Sequence, residues 1–143
     1  MQRRVYLVVL AVLNRATMIL AGLVSASAPV LAHHSFAAVF DEKNAVAVTG
    51  VVSEVRLENP HSWFFVDVTD PVGKVTKWGF EGNTPTSLLR AGYKRDAIKV
   101  GDKVTIRGSR ARDLSANMGA AREIQLQDGR TFIVGPKGAA DAD

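Results

Sequence analysis

The chain has 143 residues and no cysteine, which excludes disulfides and thiolate metal sites. Its formal charge is +4, but residues 1–32 contain three arginines and no acidic residue, so the remainder has 15 Lys and Arg against 14 Asp and Glu. A nearly neutral remainder lacks the basic surface that neutralises phosphates, so no nucleic-acid partner is predicted. Its length suits one small domain.

Residues 1–32 have the three parts of an export signal peptide. Positive charge comes first, the apolar stretches 5–13 and 18–24 follow, and a region of small residues ends at Val30-Leu31-Ala32. We predict cleavage after Ala32 and a periplasmic location. Cleavage after Ala26 is the competing site.

Neither apolar stretch has the ~20 residues of a membrane helix, since Asn14 and Arg15 divide them. We therefore predict no stable membrane anchor after cleavage, with a retained anchor as the alternative. Arg3-Arg4 resembles part of a twin-arginine motif, so the Sec and twin-arginine routes both stay open.

Short β-strands are predicted after the leader. The second of them alternates, with Phe64, Val66 and Val68 on one face and Trp63, Phe65 and Asp67 on the other. Turns are predicted at residues 70–73 and at Asp128-Gly129. The predicted strands cover residues 46–57, 62–69, 74–81, 103–110, 121–127 and 131–134.

A short helix is predicted between the third and fourth strands. Thr84 suits its N-cap, Pro85 its first position and Gly92 a left-handed end, with Leu88 and Leu89 facing inward.

The order of the elements along the chain, three strands, a helix and further strands, predicts an all-β fold. We expect a small OB-like Greek-key barrel of five to six strands with one short helix between strands three and four. A generic antiparallel barrel or sandwich is the alternative. The predicted organisation is a signal peptide at 1–32, an N-terminal segment packing on the barrel at 33–45, the OB-like domain at 46–134 and a disordered tail at 135–143.

Several short motifs resemble a family of small exported proteobacterial proteins of unknown function, whose members begin with a double histidine after the signal. The resemblance implies a periplasmic address and a compact β domain but no activity. The motifs are Ala32-His33-His34-Ser35-Phe36, Asn59-Pro60-His61-Ser62-Trp63, Trp78-Gly79-Phe80-Glu81, Leu88-Leu89-Arg90-Ala91-Gly92 and Lys99-Val100-Gly101-Asp102.

The three histidines, His33, His34 and His61, are the candidate metal ligands. Cleavage after Ala32 would leave His33 first, where its α-amine and imidazole can chelate one ion, and nitrogen donors of this kind suit copper. His61 lies in the loop between the first two strands, at the rim where OB-like barrels bind ligands. Met118 is a weaker candidate for an axial sulfur.

Simpler interpretations stand beside these. In these, His33 and His34 belong to a solvated terminus, and His61 hydrogen-bonds a loop carbonyl. Glu58 and Glu81 flank the rim. We interpret them as solvated charges; the alternative is that they orient a histidine that binds metal.

Trp63 and Phe65 on the outer face have two interpretations. In the preferred interpretation, Phe36 and Phe40 cover them, since these residues have the spacing to do so. Such packing would carry His33 and His34 toward His61. Alternatively, the two aromatic side chains form a platform for a ligand.

No catalytic set is evident, so we predict that the protein is not an enzyme. Arg107, Arg110 and Arg112 are interpreted as ordinary charged surface. The predicted function is a periplasmic metal-binding module, foremost for the storage, delivery or sensing of copper. The predicted partners are the metal ion and another periplasmic protein. The alternative is an OB-like domain that binds a saccharide, peptide or envelope protein through its aromatic face.

The cleavage site gives the first testable prediction. Protein purified from the periplasm should have the mass of a chain beginning at His33, and N-terminal sequencing should read His-His-Ser-Phe. A terminus at Ser27, or at Met1, would contradict it and would remove the amine donor from the predicted metal site.

Overall fold

The computed structural model describes residues 36–136. The predicted signal peptide, His33, His34 and residues 137–143 lie outside the described residues. None of the helices in the described part of the chain has the length and apolar character needed to cross a lipid bilayer.

Six strands and two short helices make up the described domain. The helices are α1 (Phe36–Val39) and α2 (Pro85–Arg90). The strands are β1 (Phe40–Arg56), β2 (Trp63–Thr69), β3 (Val75–Glu81), β4 (Lys103–Ala111), β5 (Met118–Leu126) and β6 (Thr131–Ile133).

Five of the strands form a closed ring. β1 pairs antiparallel with β2 and β4, β2 with β3, and β4 with β5, and a short parallel pairing between β3 and β5 closes the ring. β6 extends the sheet beyond β5. With α2 between β3 and β4, this is the predicted all-β, OB-like barrel of five to six strands.

The core fills the inside of this ring. Phe64 and Val66 from β2 are fully buried, as the alternation of β2 predicts, and Phe80, Ile106 and Ile124 meet them from three other strands. Burial of these side chains supplies the main favourable free energy of folding.

The predicted turns and the helix are confirmed, with one error of side-chain orientation. Thr84 accepts a hydrogen bond from the Ser87 N–H at 3.1 Å, and Gly92 has a φ of 89°. Leu88 is buried, but Leu89 is exposed and does not face inward. A helix of six residues presents too narrow a face to bury two consecutive leucines.

Two strands begin earlier than predicted. β1 starts at Phe40 rather than residue 46, and β5 at Met118 rather than residue 121. The extra residues at the start of each strand include polar or small ones, which give a weak strand pattern. Pairing with β4 holds them in the sheet. Gly135, the first residue of the predicted tail, is buried and donates its N–H to the Arg122 carbonyl at 3.2 Å.

The leucines of α2 provide a matched test of the packing. Leu88 is 1% exposed and Leu89 is 42% exposed. Leu88→Ala should lower the free energy of unfolding by about 2–5 kcal/mol because it leaves a cavity, whereas Leu89→Ala should change it by about 0.5 kcal/mol or less. Urea denaturation of both variants measures this, and equal losses would contradict the placement of α2.

Candidate functional site

One row of residues crosses the outer face of the barrel. Trp63 on β2 lies opposite Glu81 on β3, and Glu81 lies opposite Ala120 on β5. Paired residues of neighbouring strands point to the same side of a sheet. Glu81 therefore stands between the aromatic side chains of β2 and the surface of β5.

Glu81 holds the third histidine. Its Oε1 contacts Nδ1 of His61, which lies in the loop between β1 and β2. The side chains of His61 and Glu81 are 38% and 20% exposed. The contact is made at Nδ1 and leaves Nε2 as the ring nitrogen away from the carboxylate.

This contact changes two of the sequence interpretations. Glu81 is a partner of the histidine and not the solvated charge that the sequence analysis favours. His61 contacts this carboxylate and not a loop carbonyl. The sequence contained the necessary signal, because the tight turn at residues 70–73 fixes the β2–β3 register and so places residue 81 beside residue 63.

The remaining predicted ligands are not assembled by the described residues. Glu58 is exposed, and Met118 packs among apolar side chains at the start of β5. Between residues 36 and 136, no three His, Asp or Glu side chains form a group that could hold a metal ion. His33 and His34 lie outside the described residues.

Trp63 and Phe65 form a stacked pair on the outer face. Their rings are 6.0 Å apart with an interplanar angle of 17°. Both lean over Gly79 of β3, where a Cβ atom would lie 3.1 Å from Phe65 Cε1 and 3.7 Å from Trp63 Cζ3. We call Trp63 and Phe65 the aromatic pair.

Arg56 covers one end of the aromatic pair. Its guanidinium lies 4.9 Å from the centre of the Phe65 ring, and its Nε donates to Oε1 of Glu54. That hydrogen bond lowers the pKa of the Glu54 carboxyl and raises the pKa of Arg56. The sequence analysis did not single out either residue.

The N-terminal segment packs elsewhere than predicted. Phe40 is buried with Ala111 and Ala120, with Phe36 and Val39 packed against them, and not beside Trp63 or Phe65. The two phenylalanine rings are 5.2 Å apart. The long β1 causes the difference, because it pairs Phe40 with Ala111 of β4.

Arg112 also holds this segment. Its Nε donates to the Ala37 carbonyl at 2.7 Å, and its backbone N–H donates to the Val39 carbonyl at 2.9 Å. We call residues 36–40 together with Arg112 the N-terminal clasp. The acceptors in the clasp are backbone carbonyls, which side-chain patterns do not reveal. For this reason the sequence pattern indicates only ordinary surface at Arg112.

Arg107 and Arg110, which the sequence analysis groups with Arg112 as charged surface, have separate contacts. Arg107 donates to Glu123 at 3.0 Å on the barrel surface. Arg110 lies 4.8 Å from the centre of the Trp78 ring and donates to the Leu114 carbonyl at 3.0 Å. The three side chains therefore do not form one anion site.

Comparison with known families gives a match over residues 19–120, more than half of the chain, to a family of unknown function (DUF6152). The chain belongs to DUF6152. No curated protein matches it. Membership in DUF6152 agrees with the predicted resemblance to an uncharacterised family, and it assigns no activity, so the chemistry must be argued from the site.

Removing the Arg112 side chain tests the clasp. In Arg112→Ala the backbone N–H of residue 112 remains, but we expect its hydrogen exchange to rise because the Ala37 contact is lost. The free energy of unfolding should fall by about 0.5–1.5 kcal/mol, the net value of one hydrogen bond. Hydrogen exchange followed by mass spectrometry measures the first effect.

Arg107→Ala is the matched control, since it removes an arginine of β4, the strand that ends just before Arg112, and the partner of Arg107 is Glu123. It should leave exchange at residues 36–40 and 112 unchanged. Equal exchange in the two variants would show that the guanidinium of Arg112 does not hold the segment.

Proposed function

We propose that this protein is a periplasmic metal-binding module that stores, delivers or senses an ion, foremost Cu(II), through His61 and the N-terminal histidines His33 and His34. The observation that carries the proposal is the contact between His61 Nδ1 and Glu81. Histidines that bind metals usually donate their second ring N–H to a carboxylate.

That contact prepares His61 as a ligand. Glu81 contacts Nδ1 and leaves Nε2 as the nitrogen that can bind an ion, the arrangement in which carboxylates orient metal-binding histidines. With 38% of its side chain exposed, His61 is also accessible from solution. One imidazole is too weak a site by itself, so further donors are needed.

The predicted mature terminus supplies those donors. Cleavage after Ala32 would make His33 the first residue, with its α-amine, its imidazole and the imidazole of His34 as donors. These nitrogen ligands, in a chain without cysteine, favour Cu(II) over softer ions such as Cu(I).

The N-terminal clasp supports this arrangement. Phe36 packs in the apolar cluster that contains Ala120, and Ala120 is the direct neighbour of Glu81. The first described residue therefore lies in the cluster that contains the strand neighbour of Glu81.

Copper titration of four proteins tests the proposal. We expect the tightest binding in the protein that begins at His33, weaker binding in His61→Ala, and weaker binding in a form with one extra residue before His33. Glu81→Gln should lower affinity by about 10–100-fold, the usual cost of losing a carboxylate that orients a metal-bound histidine. Quenching of Trp63 fluorescence and calorimetry provide the measurements.

Glu58→Gln is the matched control, because Glu58 is an exposed carboxylate on the same loop. It should bind copper like the parent protein. Affinity should also fall in acid, because each nitrogen must lose its proton to bind. Equal affinity in all variants would overturn the site, and a loss only in the extended form would confine binding to the terminus.

A further inference from the structure

We propose that the protein forms a two-fold symmetric dimer through a free edge of β1, where residues 45–49 pair antiparallel with the same residues of a second copy. The proposal does not depend on the metal site. It follows from the backbone groups at this edge, the register that two copies can share and the exposed side chains at the two ends of the edge.

The first part of β1 has a partner strand on one side only. β4 pairs with β1 from Phe40 to Val51, whereas β2 pairs with it only from Val51 to Arg56. Before Val51, no strand of the described domain pairs with the other edge of β1. An unpaired edge presents a row of N–H and C=O groups that a further strand can bind.

The free edge is short and has clear limits. At one end, the register shift between Asp41 and Ala45 interrupts the strand, and at the other end β2 occupies the place beside Val51. Between these limits, residues 45–49 contain no charge, no proline and no bulge. Those are the features by which exposed edges usually avoid pairing.

The odd-numbered residues direct their backbone groups toward the free edge. Val52 bonds on the β4 side, since its N–H donates to the Asp102 carbonyl at 2.8 Å. The backbone groups of successive residues alternate between the two sides of a strand. Ala45, Ala47 and Thr49 therefore point their N–H and C=O groups away from β4, and all three residues are exposed.

One register pairs all of these groups. When Ala47 of one copy lies opposite Ala47 of the other, Ala45 lies opposite Thr49, and each outward N–H meets a carbonyl. The interface is then the same surface on both copies, as a two-fold axis requires. The outward side chains are alanine and threonine, which are small enough to lie side by side across the axis.

The charges at the two ends of the edge are complementary. The irregular start of β1 carries exposed Glu42 and Lys43, and the β2–β3 turn carries exposed Asp70 and Lys74. In the described part of the chain, none of these four side chains forms an ion pair. In the proposed register, the start of β1 in each copy faces the turn of the other, so each cation meets a carboxylate.

Exposed valines lie at the same end of the sheet as the turn. Val51, Val72 and Val75 are 44%, 87% and 56% exposed. A second copy on the edge would contact this apolar surface, which a solitary chain leaves in water. One short strand pairing and three valines form a small interface, so we expect a weak dimer that depends on concentration.

Sedimentation equilibrium of the mature protein tests the proposal, with EDTA present so that copper cannot link two chains. We expect a monomer–dimer equilibrium. Ala47→Glu and Ala47→Lys each place like charges opposite one another at the two-fold axis and should weaken the dimer about tenfold or more. An equimolar mixture of the two variants should restore the dimer, because glutamate then meets lysine.

Gln127→Glu and Gln127→Lys are the matched controls, since they add the same charges at an exposed position after β5. Both should dimerise like the parent protein. If a charge at residue 47 prevents folding, Ala47→Cys replaces both variants. The chain has no other cysteine, so oxidation should link two copies at the axis, whereas Gln127→Cys should stay unlinked.

Three results would overturn the proposal: a monomer at concentrations up to about 1 mM; a dimer that both charges at residue 47 leave intact; or a mixture of the two charged variants that stays monomeric. Because the measurement excludes metal, each result leaves the copper proposal to its own test.

Discussion

The short parallel pairing between β3 and β5 is the constraint on which the outer face depends. It joins only three residue pairs, from Gly79 with Met118 to Glu81 with Ala120, and it closes the ring of strands. Gly119 permits this approach, because a Cβ atom there would lie 2.8 Å from Phe80 Cε1 and 2.9 Å from the Ser109 carbonyl oxygen. The closure sets Glu81 beside the surface that the N-terminal clasp covers.

The same closure brings two chemically different regions together. On one side of Glu81 are Trp63 and the loop that carries His61, and on the other is Ala120 beneath the clasp. The proposed metal site therefore lies beside the stacked rings of Trp63 and Phe65, with Glu81 between β2 and β5.

Local patterns predicted the parts of the fold that local chemistry determines. The turn at residues 70–73 forms because the Asp70 carboxylate accepts N–H groups from Val72 and Lys74, and the alternation of β2 separates its buried and outer residues. The beginnings of β1 and β5 have no clear local pattern, since β1 is extended there by pairing with β4, and β5 by pairing with β3 and β4.

The candidate site was predictable in part. The loop position of His61 identifies it as a rim residue. The sequence also places Glu81 at this rim, but as a solvated charge, whereas the structure sets it opposite Trp63 and in contact with His61. Contacts that need the closed barrel could not be derived. Phe40 packs on Ala111 and Ala120, and Arg112 donates to the Ala37 carbonyl. Neither contact produces a periodic pattern in the sequence.

The sequence separation across the clasp has a consequence for the order of folding. Arg112 and Ala37 are 75 positions apart, so a large loop must close before their hydrogen bond can form. The β2–β3 hairpin needs no such closure and can form early. The contact of Arg112 with the N-terminal segment is therefore expected to form later in folding than the β2–β3 hairpin.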